Sequence, residues 1–465
     1  MSDLVWQRCI HPDCGRTFDL TQALFACDAC GGLLDVAYDF SKLPRPKSLR
    51  DFDARRTARS SFAKDRLDFS GVWRFRELLP FADERRIVTL GEGRTLLQQA
   101  DTLAAELGHR PGRLFLQYEG LNPSGSFKDN GMTAACTMAR MLGRKTVACA
   151  STGNTSASMA LFAAQPADGK PLDAIVLVGA GKIAFGKLAQ ALDYGARTFQ
   201  IEGDFDACLR RVQELADRAD IYLMNSTNPF RLEGQKAIMY RVLEGLDWEV
   251  PDWIIVPGGN LGNSSAFGKA FAELLELGLV DRVPRIAIIN ATGANTLYEL
   301  YETEKLRWND GRFDADKIKA FYDRMHADGR KAKTVASAIE IGVPVNLPKA
   351  LRTLSIMNGV VREVSDEEIL DHKALVGRTG LSCEPASAAS LAGLRALRAE
   401  QIIASDDRVV CILTGHGLKD PDATVRYHSG REDSDAPLAR YSNRPIRVAD
   451  DWESICRAVG VSPEQ

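Results

Sequence analysis

Residues 253–277 read WIIVPGGNLGNSSAFGKAFAELLEL, and the pattern of this stretch changes twice. Its first four residues are apolar and mostly β-branched, which predicts a short buried strand. The glycine-rich segment 257–263 predicts a tight loop. From Ser264 to Leu277, apolar residues recur at helical spacing and predict a helix. A buried strand that leads through a loop into a helix is typical of α/β folds.

The same alternation recurs along the chain from about residue 113 onward. The predicted strands cover 145–150, 173–178 and 409–413, and the predicted helices cover 155–164 and 185–194. This alternation predicts mainly parallel sheets covered by helices, and a chain of 465 residues is long enough for two lobes with a cleft between them. Clusters of Gly, Ser, Thr and Asn follow the predicted strands, at the carboxyl ends where such folds bind ligands.

The composition disfavours several classes of function. The formal net charge is -3 and 26% of the residues are charged, with both signs interspersed, so we expect neither a nucleic-acid partner nor a membrane. The first residues, MSDLVW, lack the pattern of a signal peptide, and no apolar stretch has membrane-spanning length, so a cytoplasmic location is expected. Six of the ten cysteines are scattered, which favours reduced thiols.

Three units are predicted along the chain. Residues 1–40 form a small N-terminal unit with its own cysteine pattern, and the Pro- and Arg-rich stretch 42–59 is interpreted as a linker. The catalytic region covers 41–430, with a smaller mobile lobe at about 120–235 and a larger lobe formed by the remainder. Residues 431–465 are polar and are predicted to be a loosely attached tail that ends in one helix.

Residues 119–132, EGLNPSGSFKDNGM, are predicted to open a helix with Ser126 as its N-cap. Lys128 then lies in the first turn, where the helix dipole lowers the pKa of the amine. A neutral amine is the form that Schiff-base chemistry requires. The alternative is an ordinary solvated surface lysine.

Residues 150–157, ASTGNTSA, follow a predicted strand and enter a helix. Their N–H groups and hydroxyls converge on one small volume, which predicts a site for a carboxylate or a phosphate. A plain strand-to-helix turn with a Ser or Thr cap is the competing interpretation.

The loop PGGNLGN (257–263) predicts a phosphate site, because its glycines let the backbone approach an anion at a helix N-terminus. It matches neither the dinucleotide fingerprint nor a Walker loop, so a mononucleotide-like phosphate is favoured over NAD or ATP. A purely structural turn is the alternative.

The segment ILTGHG (412–417) places Thr414 at the end of a strand, where its hydroxyl can bind a ring nitrogen of a flat ligand. His416 is interpreted as a loop or packing residue rather than a general base.

Taken in chain order, these motifs resemble those of the threonine synthases, in the fold-type II group of pyridoxal phosphate enzymes. NSTNPFRLEGQK (225–236), SAIEIG (337–342) and TGHGLK (414–419) are similar to the plant and cyanobacterial branch, and the resemblance covers about residues 80–425. It implies a two-lobed α/β fold and pyridoxal 5'-phosphate as the cofactor. GSFKD-like strings recur across the group, whereas ASTGNTSA together with NPFRLEGQK is much narrower.

The resemblance also implies roles for the cofactor-binding residues. Lys128 would hold the cofactor as a Schiff base and afterwards move protons between substrate carbons. Asn154 would donate to the 3'-oxygen of the cofactor, and Thr414 would face its pyridine nitrogen. The cofactor phosphate would be held by Gly258, Gly259, Asn260, Gly262 and Asn263.

On the substrate side, the resemblance implies O-phospho-L-homoserine, which would be converted with water to L-threonine and phosphate by γ-elimination and β-hydration. Arg231 would bind the substrate phosphate, with Lys182 as a second candidate. The α-carboxylate would be bound by Ser151, Thr152 and Thr155. A homodimer is expected. The alternatives are a replacement enzyme like cysteate synthase and a non-catalytic homologue.

The N-terminal unit contains two cysteine knuckles, CIHPDC (9–14) and CDACGG (27–32), and resembles a small zinc ribbon. The predicted ligands of a structural zinc ion are Cys9, Cys14, Cys27 and Cys30. The first knuckle has four residues between its cysteines instead of two, which leaves His11 as a substitute ligand. A metal-free remnant held by packing is the alternative.

Overall fold

The computed structural model describes residues 3–60, 66–166, 170–179, 185–203, 205–430 and 439–462. Thirteen strands lie in these ranges: β1 Val5–Cys9, β2 Thr17–Asp19, β3 Leu34–Tyr38, β4 Leu96–Gln99, β5 Leu114–Tyr118, β6 Thr146–Ala150, β7 Asp173–Gly179, β8 Arg197–Ile201, β9 Ile221–Leu223, β10 Trp253–Pro257, β11 Arg285–Ala291, β12 Val360–Val364 and β13 Val409–Leu413.

Fifteen α-helices lie in the same ranges, and shorter 3-10 turns connect several of them. The helices are α1 Arg66–Phe69, α2 Asp101–Glu106, α3 Lys128–Met141, α4 Asn154–Ala163, α5 Phe185–Asp193, α6 Phe205–Arg218, α7 Pro229–Gly245, α8 Gly262–Glu276, α9 Thr296–Tyr298, α10 Ala315–Ala327, α11 Leu347–Ile356, α12 Asp366–Arg378, α13 Pro385–Ala399, α14 Pro421–Ser429 and α15 Trp452–Val459. Within the described ranges, no helix has both the length and the apolar character needed to cross a bilayer.

Three sheets organise the chain. The largest has the strand order β12-β11-β10-β13-β5-β4, with only β4 antiparallel, and the second has the order β8-β7-β6-β9 with every pairing parallel. The third, β2-β1-β3, is antiparallel and belongs to the N-terminal unit. The predicted mainly parallel α/β fold is therefore confirmed.

The two larger sheets are connected by helices that cross between them. Helix α3 leads from the largest sheet into the second sheet, and α7 leads back. Strands β6 to β9 all fall within the lobe predicted at about 120–235. The mobility of that lobe stays a prediction.

The segment predicted as a linker is instead part of the folded body. A 3-10 helix, Leu49–Thr57, is closed by a capping box between Ser48 and Asp51. Its side chains Leu49 and Phe52 are buried in the main core, and the Phe52 ring lies 5.1 Å from the ring of Phe75. The prediction of a linker was wrong because proline and arginine content indicates chain stiffness and charge but does not show which apolar side chains will find a core.

Helices α3 and α7 approach each other so closely that one position requires glycine. A Cβ atom added at Gly234 would lie 1.8 Å from the carbonyl oxygen of Asn130. Lys128 begins α3 and Arg231 lies in the first turn of α7. The close packing of these two helices therefore fixes the distance between the two side chains.

We expect Gly234→Ala to lower the free energy of unfolding by roughly 1–3 kcal/mol or more, because it forces the two backbones apart. The matched control is Gly377→Ala in α12, where an added Cβ would meet no atom within 4 Å. That control should be neutral or slightly stabilising, since alanine is the better helix former. Chemical denaturation of the two variants checks the difference, and equal stabilities would contradict the packing argument.

Candidate active site

A cavity of about 790 Å³ lies where four parallel strands of the two larger sheets end. The segments that directly follow the carboxyl ends of β5, β6, β10 and β13 line this cavity, as expected for a ligand site in an α/β fold. Eleven of the predicted site residues line it: Lys128, Ser151, Thr152, Asn154, Thr155, Arg231, Gly259, Asn260, Gly262, Asn263 and Thr414. The motifs that the sequence singled out thus meet in one place.

Lys128 begins α3 and so lies in its first turn, as predicted, but Ser126 is not the cap of this helix. Phe127 occupies the N-cap position, and its N–H donates to the carbonyl of Thr414 at 2.8 Å. Ser126 pairs with Gly415 in an isolated β-bridge, and its hydroxyl makes no cap bond. The prediction failed because this long-range pairing fixes the backbone before α3, so that the helix starts one residue later with Phe127 at the N-cap.

The Lys128 amine has an unusually low pKa. Removal from water is the main cause, and the cation of Arg231 adds to it, while Glu384 partly opposes both; together they lower the pKa of Lys128 to about 7. The direction agrees with the prediction, and burial and the Arg231 cation are its main causes. A substantial fraction of the amine is therefore neutral at pH 7.

The turn after β6 presents the start of α4 to the cavity. Helix α4 begins at Asn154, and no side chain caps its N-terminus. Asn225 fixes the end of β6, since its amide both donates to the Ala150 carbonyl at 3.1 Å and accepts from the Ala150 N–H at 3.0 Å. The uncapped N–H groups beside Ser151 and Thr155 can therefore receive an anion.

The glycine-rich loop after β10 holds a strained residue immediately before α8. Leu261 has a φ of 63°, in the left-handed region, at the N-cap position of α8, and no side chain caps this helix either. Such strain persists where the surroundings impose it, and it is concentrated at functional sites. The start of α8 is thus a second open anion site that faces the cavity.

Gly258 differs from the other predicted loop residues because it does not line the cavity and instead bonds to β11. Its N–H donates to the Ile289 carbonyl at 2.6 Å, and its carbonyl accepts from Asn290 Nδ2 at 2.7 Å. Its N–H is therefore already engaged by β11. A Cβ atom added at Gly258 would lie 2.7 Å from Asn290 Nδ2, so the position has no room for a side chain.

Glu384 is a cavity residue that the sequence analysis missed. Its carboxylate accepts from Thr414 Oγ1 at 2.9 Å and from Asn154 Nδ2 at 2.9 Å. It therefore joins the two side chains that were predicted to bind two different polar positions of a flat ring. Thr414 Oγ1 also lies 2.9 Å from Ser387 Oγ, so its hydroxyl is oriented from two sides.

Arg231 is 2% exposed and lies in the cavity wall. One of its terminal nitrogens donates to the Met224 carbonyl at 2.9 Å, whereas its Nε has no hydrogen-bond partner. Burial lowers the pKa of Arg231 to about 10, which leaves it a cation at neutral pH. Gln235 Oε1 and Asn263 Oδ1 are also buried without partners in the same wall. Unpaired buried polar atoms are costly, so this group fits a polar ligand.

Lys182, His416 and His11 were also considered in the sequence analysis, and the structure treats each of them differently. Lys182, the second candidate for the phosphate, lies outside the described residues. His416 accepts from the Leu418 N–H through Nδ1 at 3.0 Å and caps a short 3-10 turn, in agreement with its interpretation as a loop residue. His11 does not join the cysteine cluster, and its ring packs 5.2 Å from the ring of Phe313.

This chain is similar to several known proteins. The profile of a family described as "Pyridoxal-phosphate dependent enzyme" matches residues 88–415. A threonine synthase from Methanocaldococcus jannaschii is 44% identical over 421 residues, which cover 90% of this chain and 94% of that protein. Threonine synthase 2, chloroplastic, from Arabidopsis thaliana is 35% identical over 96% of this chain and 82% of its own length. The crystal structure of threonine synthase from Escherichia coli shares the fold with a TM-score of 0.64 at 18% identity, covering 98% of this chain and 99% of that one.

Proposed function

Because the chain belongs to the pyridoxal-phosphate dependent enzymes, and within them to the threonine synthases, we propose that it converts O-phospho-L-homoserine and water to L-threonine and phosphate. The observation that carries the proposal is the joint presence of a lysine with a pKa of about 7 and a buried arginine with an unpaired Nε in one cavity. The lysine can move protons at carbon, and the arginine can bind a phosphate.

The residues of the cavity fit pyridoxal 5'-phosphate. When bound, this cofactor supplies an electron sink that acidifies the C–H bonds near the α-carbon of an amino acid. Lys128 would hold it covalently, and the open N-terminus of α8 would receive its phosphate. Asn154 and Thr414 would bind the two polar positions of its ring, in place of the Glu384 carboxylate that they now share.

The substrate would be oriented by its two anionic ends. The uncapped start of α4, with Ser151, Thr152 and Thr155, would bind the α-carboxylate. Arg231 would bind the phosphate at the other end through its guanidinium, whose Nε has no hydrogen-bond partner. Two fixed anion sites set the chain length of the substrate, because both ends must be bound at once for the reacting carbons to lie beside Lys128.

Lys128 would carry the proton transfers once the amino group of the substrate has displaced it from the cofactor and left its amine free. Its Nζ would remove the proton from the α-carbon, take part in the removal of a β-proton and return protons as the phosphate leaves and water adds. A group with a pKa near the working pH serves well both as a base and as an acid, and the pKa of about 7 satisfies this condition.

The proposed substrate can be tested against the cysteate synthase-like alternative by chain length. O-phospho-L-homoserine should yield threonine and phosphate, whereas O-phospho-L-serine with sulfite should yield no cysteate, because its chain is one carbon shorter. Both substrates carry the same two anions, so their charge is matched. Turnover of the serine substrate at an equal or higher kcat/KM would sink the proposal and leave the cofactor assignment intact.

The low pKa of Lys128 predicts how the apoenzyme captures its cofactor. The rate of capture should rise with pH up to about 7 and then level off, because only the neutral amine reacts. An unshifted lysine would give a rate that keeps rising toward pH 10. The measurement is the visible absorbance of the lysine-bound cofactor after the apoenzyme and the cofactor are mixed at a series of pH values. A lysine derivative whose only free amine is the ε-amine serves as the reference.

A homodimer and a cytoplasmic location complete the proposal. The dimer is supported by the general frequency of two-fold symmetry among enzymes, and light scattering that gives the mass of one chain would contradict it. The location is supported by the ten cysteines, all of which lie in the described part of the chain and form no disulfide there, as in reducing compartments. Fractionation that finds the protein in an oxidising compartment would contradict that location.

A further inference from the structure

The four cysteines of the N-terminal unit bring their sulfur atoms together. All four Sγ atoms lie within 4.8 Å of one another, with Cys9 Sγ 3.5 Å from Cys30 Sγ and Cys14 Sγ 3.6 Å from Cys27 Sγ. Four sulfurs placed about 2.3 Å from a zinc ion in a tetrahedron lie about 3.8 Å apart. The cluster thus has nearly the geometry of a closed four-thiolate site, whereas two separate disulfides would not require all four to converge.

The apolar cluster around these cysteines is small. It contains four buried side chains, Cys9, Phe18, Cys27 and Leu34, and two of these are members of the sulfur cluster, whereas Val5, Leu20 and Val36 of the same unit pack into the main core. The knuckles themselves therefore have little apolar burial, and segments of this kind usually need a cross-link or a metal. The cysteines also lie at one end of β3, since Cys9 pairs with Leu34 in the sheet and the knuckle at 27–32 leads directly into β3.

Two residues of β3 make polar contacts with buried charged groups of the main body. The first of them is Asp35. Its carboxylate forms ion pairs with Lys349 Nζ at 3.0 Å and Arg352 NH1 at 2.5 Å, both on α11. Lys349 is buried and also donates to the carbonyl of Leu34 at 2.6 Å. Without Asp35 these two cations would be left without their carboxylate partner, which is costly in a protein interior.

The second contact is made by Tyr38 at the other end of β3. Its hydroxyl donates to Glu233 Oε2 at 2.5 Å. Glu233 lies on α7 in a buried network with Lys236, Lys269 and Glu273, which joins α7 to α8. Glu233 lies two residues after Arg231, and α8 begins at the glycine-rich loop. Through Asp35 and Tyr38 of β3, the N-terminal unit therefore contacts α11 and α7, and α7 carries Arg231 of the active site.

We propose that Cys9, Cys14, Cys27 and Cys30 bind one zinc ion that holds β3 in place, so that Asp35 and Tyr38 complete the buried charge networks behind α7, α8 and α11. The zinc is structural, because four protein ligands leave no open coordination position. The N-terminal unit is then a metal-dependent brace for the active site. This proposal is independent of the reaction that the enzyme catalyses.

Metal content tests the site itself. The full-length holoenzyme, purified from zinc-containing medium, should carry one zinc ion per chain by plasma mass spectrometry, and a variant with both Cys27→Ser and Cys30→Ser should carry none. Cys456→Ser is the matched control, because it removes a thiol from α15 and should keep the zinc. If the double variant does not fold, titration of the wild-type chain with a mercurial should release one zinc as four thiols react. Iron in place of zinc, no metal, or two disulfides among the four cysteines would overturn the site.

Thermal unfolding tests the brace. Asp35→Asn should lower the unfolding temperature and keep its zinc, and removal of zinc from the wild type by a chelator should lower it as well. Removal of zinc from the Asp35→Asn variant should lower the unfolding temperature by less than the sum of the two separate decreases, because both changes loosen β3. Asp13→Asn is the control, since its ion pair with Arg312 is exposed and should contribute little. Loss of zinc without a change in unfolding temperature, or fully additive effects, would overturn the brace.

Discussion

Replacing Lys128 by alanine is expected to lower kcat for threonine formation by roughly 10³- to 10⁴-fold or more, the largest effect of any single change in this chain. The variant loses both the covalent attachment of the cofactor and the amine that moves the protons. The measurement combines steady-state kinetics with the visible absorbance of the lysine-bound cofactor. That absorbance should be lost while free cofactor can still bind.

Lys419→Met is the matched control for this prediction. Lys419 also lies in the cavity wall, where its Nζ donates to the carbonyl of Ser124 at 3.2 Å. We expect this variant to keep the absorbance of the lysine-bound cofactor, because Lys128 remains in place. If Lys128→Ala kept the absorbance and Lys419→Met lost it, the identity of the cofactor lysine would be refuted.

Arg231→Met is expected to lower kcat/KM for O-phospho-L-homoserine by about 10²- to 10³-fold. The variant removes the buried cation proposed to bind the substrate phosphate, and loss of one partner of such a pair costs roughly 2–5 kcal/mol. Methionine preserves much of the apolar stem and can fill the buried site. Cofactor content should stay near that of the wild type, which separates the loss from misfolding.

The same variant should change the ionisation of Lys128 in a defined direction. Because the Arg231 cation contributes to the low pKa of Lys128, its removal should raise that pKa. The rate of cofactor capture by the apoenzyme should then level off at a higher pH than in the wild type. An unchanged capture profile together with an unchanged kcat/KM would show that Arg231 acts on neither group.

Local sequence patterns were sufficient to predict four of the strands, several of the helices and most of the cavity. Strands β6, β7, β10 and β13 were predicted within about a residue of their observed bounds, because alternation and β-branched runs are local signals. Glycine, serine and threonine clusters at strand ends located the site, because parallel strands direct their carboxyl ends to one edge. The resemblance then supplied the cofactor and the substrate, which no periodicity contains.

The features that the sequence did not reveal depend on contacts between distant segments. Glu384 precedes Pro385 at the start of α13, so locally it resembles an ordinary acidic residue before a helix. Its role follows only when α4 and β13 bring Asn154 and Thr414 to it. The engaged N–H of Gly258 similarly depends on β11. No local pattern shows which buried polar group a distant strand will satisfy.

The most direct test of the central claim is a parallel assay of threonine and inorganic phosphate from O-phospho-L-homoserine by the purified holoenzyme. The two products are expected to form in a one-to-one ratio, and with Lys128→Ala both should form at only the residual rate given above. Phosphate without threonine, or neither product from an enzyme that carries its lysine-bound cofactor, would contradict the central claim.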